Sequence, residues 1–255
     1  MTKIAPLVGE PVIKVENSIK VLVIADIHLG IERDLHRSGI NIPSQTDKLL
    51  KRILEHIRST RPERIVLLGD VKHNIPGSSW QEKNEIPEFL EELSEYAQIE
   101  ITTGNHDGNI DLLIPESRGI SLHGPRGFVL DGVGYFHGHA WPAPDLFSAD
   151  FMLMGHTHPV VKLRDSLGYV TTFPVFIRAG FDEGKLTAHY GEIKYSNPLL
   201  VVLPAFNKLC GGLSVNDKSA NLLGPIFTSK TVEMSSADLY LIDGTYIGNI
   251  STLKC

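Results

Sequence analysis

The residues of this chain best equipped for chemistry fall into five short clusters: Asp26-Ile-His28, Gly69-Asp70, Gly104-Asn105-His106-Asp107, His137-Gly-His139 and Gly155-His156-Thr-His158. Carboxylate, imidazole and amide groups are ligands for divalent cations. Two such cations held close together can clamp the oxygens of a phosphoryl group during an in-line displacement. Each cluster alone also has an ordinary account. Gly69-Asp70 reads as a turn, and the histidines of His137-Gly-His139 can be satisfied polar residues at a strand end. His156 and His158 stand two apart, so an extended chain would point them the same way. All five clusters in one order favour a metal site over a series of unrelated turns.

The elements that must position these groups are legible from the apolar runs ahead of them. Lys20-Val-Leu-Val-Ile-Ala, Glu63-Arg-Ile-Val-Leu-Leu, Ile99-Glu-Ile-Thr, Gly134-Tyr-Phe and Phe151-Met-Leu-Met each stop where a cluster starts. Ligands at the ends of strands are the usual arrangement of an α/β sheet. Residues 12–15 and 19–25 predict a hairpin around Glu16-Asn17-Ser18. Ser44-Gln-Thr-Asp47 predicts a helix start, followed by Leu49, Leu50, Ile53, Leu54 and Ile57 at helical spacing. Ile86, Phe89, Leu90, Leu93 and Tyr96 mark a second amphipathic helix.

Beyond Asp107 the pattern turns to short strands over 119–123, 127–130 and 133–137, with Asp131-Gly132 as a two-residue hairpin turn. From Pro159 onward strands and turns dominate, at 160–163, 169–173, 199–203 and a late hairpin over 239–247 around Asp243-Gly244. The expected fold is α/β: an αββα two-sheet sandwich with helices on the first sheet and a β-rich portion from about residue 160, in a single domain spanning 1–255.

Composition sets bounds on function. At 255 residues and 42% hydrophobic content the chain can bury a sizeable core. Its longest apolar run, near 199–203, is only a strand's worth and too short for a membrane span. Glu10, Lys14 and Glu16 interrupt any signal-peptide profile. Two cysteines, Cys210 and Cys255, make no disulfide framework and point to a reducing, cytoplasmic compartment. A net charge of −6 disfavours non-specific adsorption to duplex nucleic acid. The basic residues Lys48, Lys51, Arg52, Arg58, Arg61 and Arg64 read first as a solvated helix face.

The motif order D-x-H, GD, GNHD, H-G-H, GHTH resembles that of the calcineurin-like metallophosphoesterases over residues 20–160. That resemblance implies two divalent ions, Mn²⁺ first, with Fe²⁺, Zn²⁺ and Ni²⁺ as alternatives. It implies Asp26, His28, Asp70 and His158 around one ion and Asp70, Asn105, His137 and His156 around the other, with Asp70 bridging. A hydroxide shared by the ions would attack phosphorus. His106 would protonate the leaving oxygen or steady the transition state. Asp107 would hold the His106 imidazole or make a local Asx turn, and His139 would contact phosphate or substrate.

Further stretches resemble one branch of that family. Asp26-Ile-His-Leu-Gly30-Ile-Glu with residues 35–43, together with residues 203–207 and 211–216, is similar to archaeal SbcD-related phosphoesterases and bacterial ligase-associated DNA-damage endonucleases. In that branch a histidine three after the bridging aspartate helps place the nucleic-acid backbone, and His73 occupies the position. Ile31 departs from the basic residue often found there. The implied function is phosphodiester hydrolysis on DNA, RNA or small nucleotides, with nucleic acid and a DNA-repair protein as partners. A phosphomonoesterase is the runner-up. A non-catalytic scaffold is disfavoured because no ligand position has been lost. Trp141 is either a base-stacking platform or a loop residue packed under prolines.

Overall fold

The computed structural model describes residues 2–116, 119–217 and 222–253, so Cys255 lies outside the described residues. The first sheet begins with β1 (Lys3–Pro6), β2 (Val12–Glu16) and β3 (Lys20–Ile24), each antiparallel to the next. Next in the chain come α1 (Glu32–Arg37), α2 (Thr46–Thr60), β4 (Arg64–Leu67), α3 (Trp80–Ser94), β5 (Gln98–Thr102) and β6 (Ile120–His123). β4, β5 and β6 extend the sheet from β3 in parallel, in the order β1-β2-β3-β4-β5-β6.

The second sheet is built from β7 (Phe128–Leu130), β8 (Val133–Phe136), β9 (Phe151–Met154), β10 (Pro159–Arg164), β11 (Val170–Ala179), β12 (Leu199–Val202) and β13 (Leu213–Ser214). Its order is β13-β10-β11-β12-β9-β8-β7. β14 (Asp238–Leu241) pairs with β11, and β15 (Tyr246–Asn249) pairs with β14. α4 (Glu183–Tyr190) and α5 (Pro225–Thr228) complete the elements used below.

Strands buried on both faces explain the near-continuous apolar runs. Leu22 and Ile24 of β3 join the core under α2 and α3, whereas Val21 and Val23 point at the second sheet and meet Leu153, Phe176 and Val201. On the far side of the second sheet, Met152, Met154, Leu200 and Val202 pack with Leu186 of α4 and with Ile226 and Phe227 of α5. Three apolar layers thus define the αββα sandwich. The helices of its second layer, α4 and α5, were not located in the sequence, because short helices bury too few residues to show a 3.6-residue period. α1 escapes detection for the same reason, and β1 because its four residues are at most half-buried.

Local signals hold where the chain turns tightly. Asp131 (φ 50°) and Gly132 (φ 77°) form the left-handed pair that a two-residue hairpin between β7 and β8 requires. At the start of α3, Ser79 accepts from the Glu82 amide at 3.2 Å while the Glu82 carboxylate accepts from the Ser79 amide at 2.5 Å. Trp141 stacks on His189 of α4 with ring centroids 3.6 Å apart, which assigns it to packing. His123 is likewise engaged, by Glu100 at 2.7 Å and the Phe128 ring.

Candidate metal centre

Parallel pairing of β3, β4 and β5, and of β8 and β9, carries the clusters to one edge of the sandwich. Hydrogen bonds between the loops lock them together. Asp26 N donates to Gly69 O at 3.3 Å, His28 N to Asp70 O at 2.8 Å and Gly155 N to His137 O at 3.1 Å. Asp26 is fully buried and both of its carboxylate oxygens accept from His156 N, at 3.0 and 3.1 Å. The segment after β12 closes the back of the site, with Asn207 donating its amide to Ile27 O at 2.9 Å.

Five of the motif residues other than glycine have left-handed backbones: Asp26 (φ 56°), His28 (46°), Asp70 (50°), His156 (72°) and His158 (42°). Each costs roughly 1–2 kcal/mol for a residue with a Cβ, a strain that persists only where the surroundings over-determine it. The sequence argument placed His156 and His158 on one side of an extended strand. They instead bend through left-handed turns, which lets His156 join Asp70 and His137 while His158 reaches Asp26, its Nε2 lying 3.3 Å from Oδ1.

Asp70 Oδ2 lies 3.5 Å from His28 Nε2 and 3.4 Å from His137 Nε2. His137 Nδ1 donates to Leu68 O at 2.7 Å, so Nε2 is the nitrogen turned toward Asn105 Oδ1, 3.2 Å away. Burial alone would lower the His137 pKa, but Asp70 and Asp26 outweigh it and raise the value to about 9. Burial lowers His28 to about 3 against the opposing pull of Asp70, and burial together with His137 lowers His156 to about 4. Neutral imidazole is the form that ligates metal, so His28 and His156 are ready for it while His137 would give up a proton as a cation replaces the pull of the carboxylates.

A family model, the calcineurin-like phosphoesterase superfamily domain, matches residues 19–177. The chain belongs to this superfamily. Its members are metal-dependent hydrolases of phosphoester bonds, and this protein is such a hydrolase. The solved structure of the Pseudomonas putida nuclease MPE is similar in fold, with a TM-score of 0.54 at 19% identity over 96% of this chain and 100% of that one. The phosphoesterase Yfce from E. coli aligns with 57% of this chain and 74% of its own at 22% identity, with a TM-score of 0.37. No curated protein matches the sequence.

The residues present fit the metals of the superfamily. With ligand bonds of about 2.0–2.2 Å, two donors on one ion stand roughly 3.0–3.4 Å apart, close to the separations at Asp70. His28 Nε2 and His158 Nε2 are buried without a hydrogen-bond partner among the described residues. An orphaned imidazole nitrogen beside carboxylates is what a cation would satisfy. Ligand atoms of Asp26, His28 and Asp70 form one close group, and those of Asp70, His137 and His156 another.

His106 lies at the open side of this centre. Its backbone N donates to Asp70 Oδ1 at 2.8 Å, and its Nδ1 lies 2.5 Å from the His73 carbonyl oxygen, which leaves Nε2 free of that contact. Asp107 does not hold this imidazole, contrary to expectation. Its carboxylate is buried and accepts from Lys72 N at 3.1 Å and Gly104 N at 2.8 Å, so it ties two ligand-bearing loops together. It makes no Asx turn either, because neither donor lies ahead of it in the chain. Burial and the nearby Asp70 raise its pKa to about 6.

His73 was expected to face substrate, but both of its ring nitrogens have partners within the fold: His28 Nδ1 at 3.1 Å and Asp34 at 3.1 Å. His139 stands beside the second group of ligands, its ring 5.2 Å from that of His137 and 6.1 Å from that of His156. Cys210, read from the sequence only for its redox meaning, lines the cleft with ligand atoms of His28 and His158 near its sulfur. The adjacent 203–207 and 211–216 motifs were the available signal. Gly104 makes the closest backbone approach, since a methyl group there would overlap Asp70 Oδ1 and N. Gly104→Ala is expected to displace Asp70 and cut turnover about a hundredfold, the usual effect of an ångström-scale misplacement. Steady-state rates at saturating metal check this, and wild-type activity would contradict it.

Proposed function

We propose that the protein is a dinuclear-metal phosphodiesterase acting on nucleic acid or nucleotide diesters. The observation that carries this reading is the place of Asp70 Oδ2, approached from two sides by His28 Nε2 and His137 Nε2, each backed by its own set of ligands. Asp26, His28, Asp70 and His158 would hold one ion, and Asp70, Asn105, His137 and His156 the other. When bound, the pair would supply Lewis acidity and an activated water. His106, with Nδ1–H committed to the His73 carbonyl, would donate to the leaving oxygen from Nε2–H of its imidazolium form. His139 is kept as a residue that steadies substrate from the rim of the second set.

The cleft over this centre, about 310 Å³, includes Leu213 and Leu223 in its wall and neither Lys nor Arg among the described residues. A monoester dianion brings one more negative charge than a diester and finds no extra cation there, which favours the diester. The basic helix face does not line the cleft: Lys48, Lys51, Arg58 and Arg61 are exposed away from its wall, while Arg52 turns inward to Phe206 O at 3.0 Å. The net charge of −6 leaves affinity for long duplexes weak. Single-stranded or flexible DNA or RNA is therefore the favoured polymer, with a basic DNA-repair partner to raise affinity and a cytoplasmic location. No helix among the described residues is long and apolar enough to cross a membrane.

A substrate panel tests the reading. An aryl diester, an aryl monoester and single-stranded DNA are assayed with Mn²⁺, Fe²⁺, Zn²⁺ and Ni²⁺. The diester is expected to exceed the monoester, with Mn²⁺ the most activating ion, and DNA cleavage to fall as salt rises. Efficient monoester turnover with no diesterase under any ion would replace this reading with a phosphatase.

A further inference from the structure

We propose that Asp34 is a positioning residue for the first metal set, acting through His73 to fix the ring of His28. The inference rests on the metal reading above. Asp34 stands on α1, half exposed, where sequence spacing connects it to none of the motifs. Its Oδ2 lies 3.1 Å from His73 Nε2, His73 Nδ1 lies 3.1 Å from His28 Nδ1, and His28 Nε2 lies 3.5 Å from Asp70 Oδ2. These contacts form one chain from the surface to the bridging carboxylate.

The chemistry of that chain has one direction. An ionised carboxylate only accepts, so His73 Nε2 must carry the hydrogen. A neutral His73 then offers a lone pair at Nδ1. His28 must donate to it from Nδ1–H, which leaves His28 Nε2 bare and aimed at the metal position. If Asp34 is removed, His73 can adopt either tautomer, and the one with a hydrogen on Nδ1 opposes the Nδ1–H of His28.

The rest of the structure holds this chain in register. Glu82 accepts from His73 N at 2.9 Å and from Asn74 N at 2.7 Å, fixing the backbone under the imidazole. The other Asp34 oxygen pairs with Arg37 at 2.9 Å, which orients the carboxylate. The group His28, His73 and His106 also has ligand-like spacing. His73 bonds to His28 through its ring and to His106 through its carbonyl, which accounts for that spacing without a third ion. Outer partners of this type typically contribute roughly 10–100-fold to metal affinity or activity.

The test measures Mn²⁺ binding calorimetrically, and the electron paramagnetic resonance spectrum of the bound ion, for the wild type, Asp34→Ala and Asp34→Asn. Asp34→Ala is expected to weaken one of two binding steps roughly 10–100-fold, to alter the spectrum and to recover activity at high Mn²⁺. Asp34→Asn keeps an oxygen acceptor for His73 Nε2–H and should lose less. Unchanged affinity in Asp34→Ala, or equal losses in the two variants, would overturn the positioning role while leaving the two-metal reading intact. Failure of the wild type to bind Mn²⁺, Fe²⁺, Zn²⁺ or Ni²⁺ would overturn both.

Discussion

Asp70→Asn is expected to empty both metal positions and abolish turnover. Asp70 Oδ1 already accepts from His106 N at 2.8 Å, so an asparagine would keep its carbonyl oxygen there. Its NH₂ would then face His28 Nε2 and His137 Nε2, where Oδ2 now lies 3.5 and 3.4 Å from them. A donor replaces the shared acceptor, and the charge that offsets repulsion between two cations disappears. Metal-derived stabilisation of several kcal/mol would be lost, a drop of at least about a thousandfold in rate. Elemental analysis after desalting gives the decisive reading. Two ions per chain in wild type and none in the variant are expected, and one ion retained at normal affinity would contradict a bridging role.

The second large effect separates binding from chemistry. His106→Ala is expected to keep both ions yet lose roughly 10²–10⁴ in rate, the range for removing an acid–base group. The backbone contact from residue 106 to Asp70 survives this substitution, so the bridging carboxylate stays in place. Only the imidazole held by the His73 carbonyl is lost. An aryl diester has a leaving group that needs little help from a proton, so its loss should be smaller than that for DNA. Metal analysis and a comparison of the two substrates check the prediction, and loss of an ion from His106→Ala would make His106 a ligand instead of a proton donor.

Both expectations rest on residues that stood out before any coordinates. Asp26, His28, Asp70, Asn105, His137, His156 and His158 each follow an apolar run, and strands β3, β4, β5, β8 and β9 end where those runs end. The Asp131-Gly132 hairpin was equally visible, because a two-residue turn demands a left-handed pair, whereas at Asp243-Gly244 only Gly244 (φ 89°) is left-handed. Less was legible where burial is thin. Helix α4 buries only Leu186, too little to write a period into the sequence. β6 and β7 are close in the chain yet belong to different sheets. Nothing local distinguishes their partners.

Side-chain chemistry at strand ends is a local property, and the sequence by itself determined it: which residues have metal-ligating groups, in what order, and that they close parallel strands of an α/β sandwich. The tertiary structure alone decided what each ring nitrogen and carboxylate oxygen touches. His73 meets His28 across 45 residues and Asp34 across 39. Asp107 meets the Lys72 amide across 35 residues, and Cys210 meets the Asp26 carbonyl across 184. Such contacts depend on how loops from different strands pass one another, and on left-handed backbones at Asp26, His28, Asp70, His156 and His158 that no extended-strand rule produces. A hydrogen bond is set by angle and approach within tenths of an ångström, and residue spacing along a chain has no such resolution.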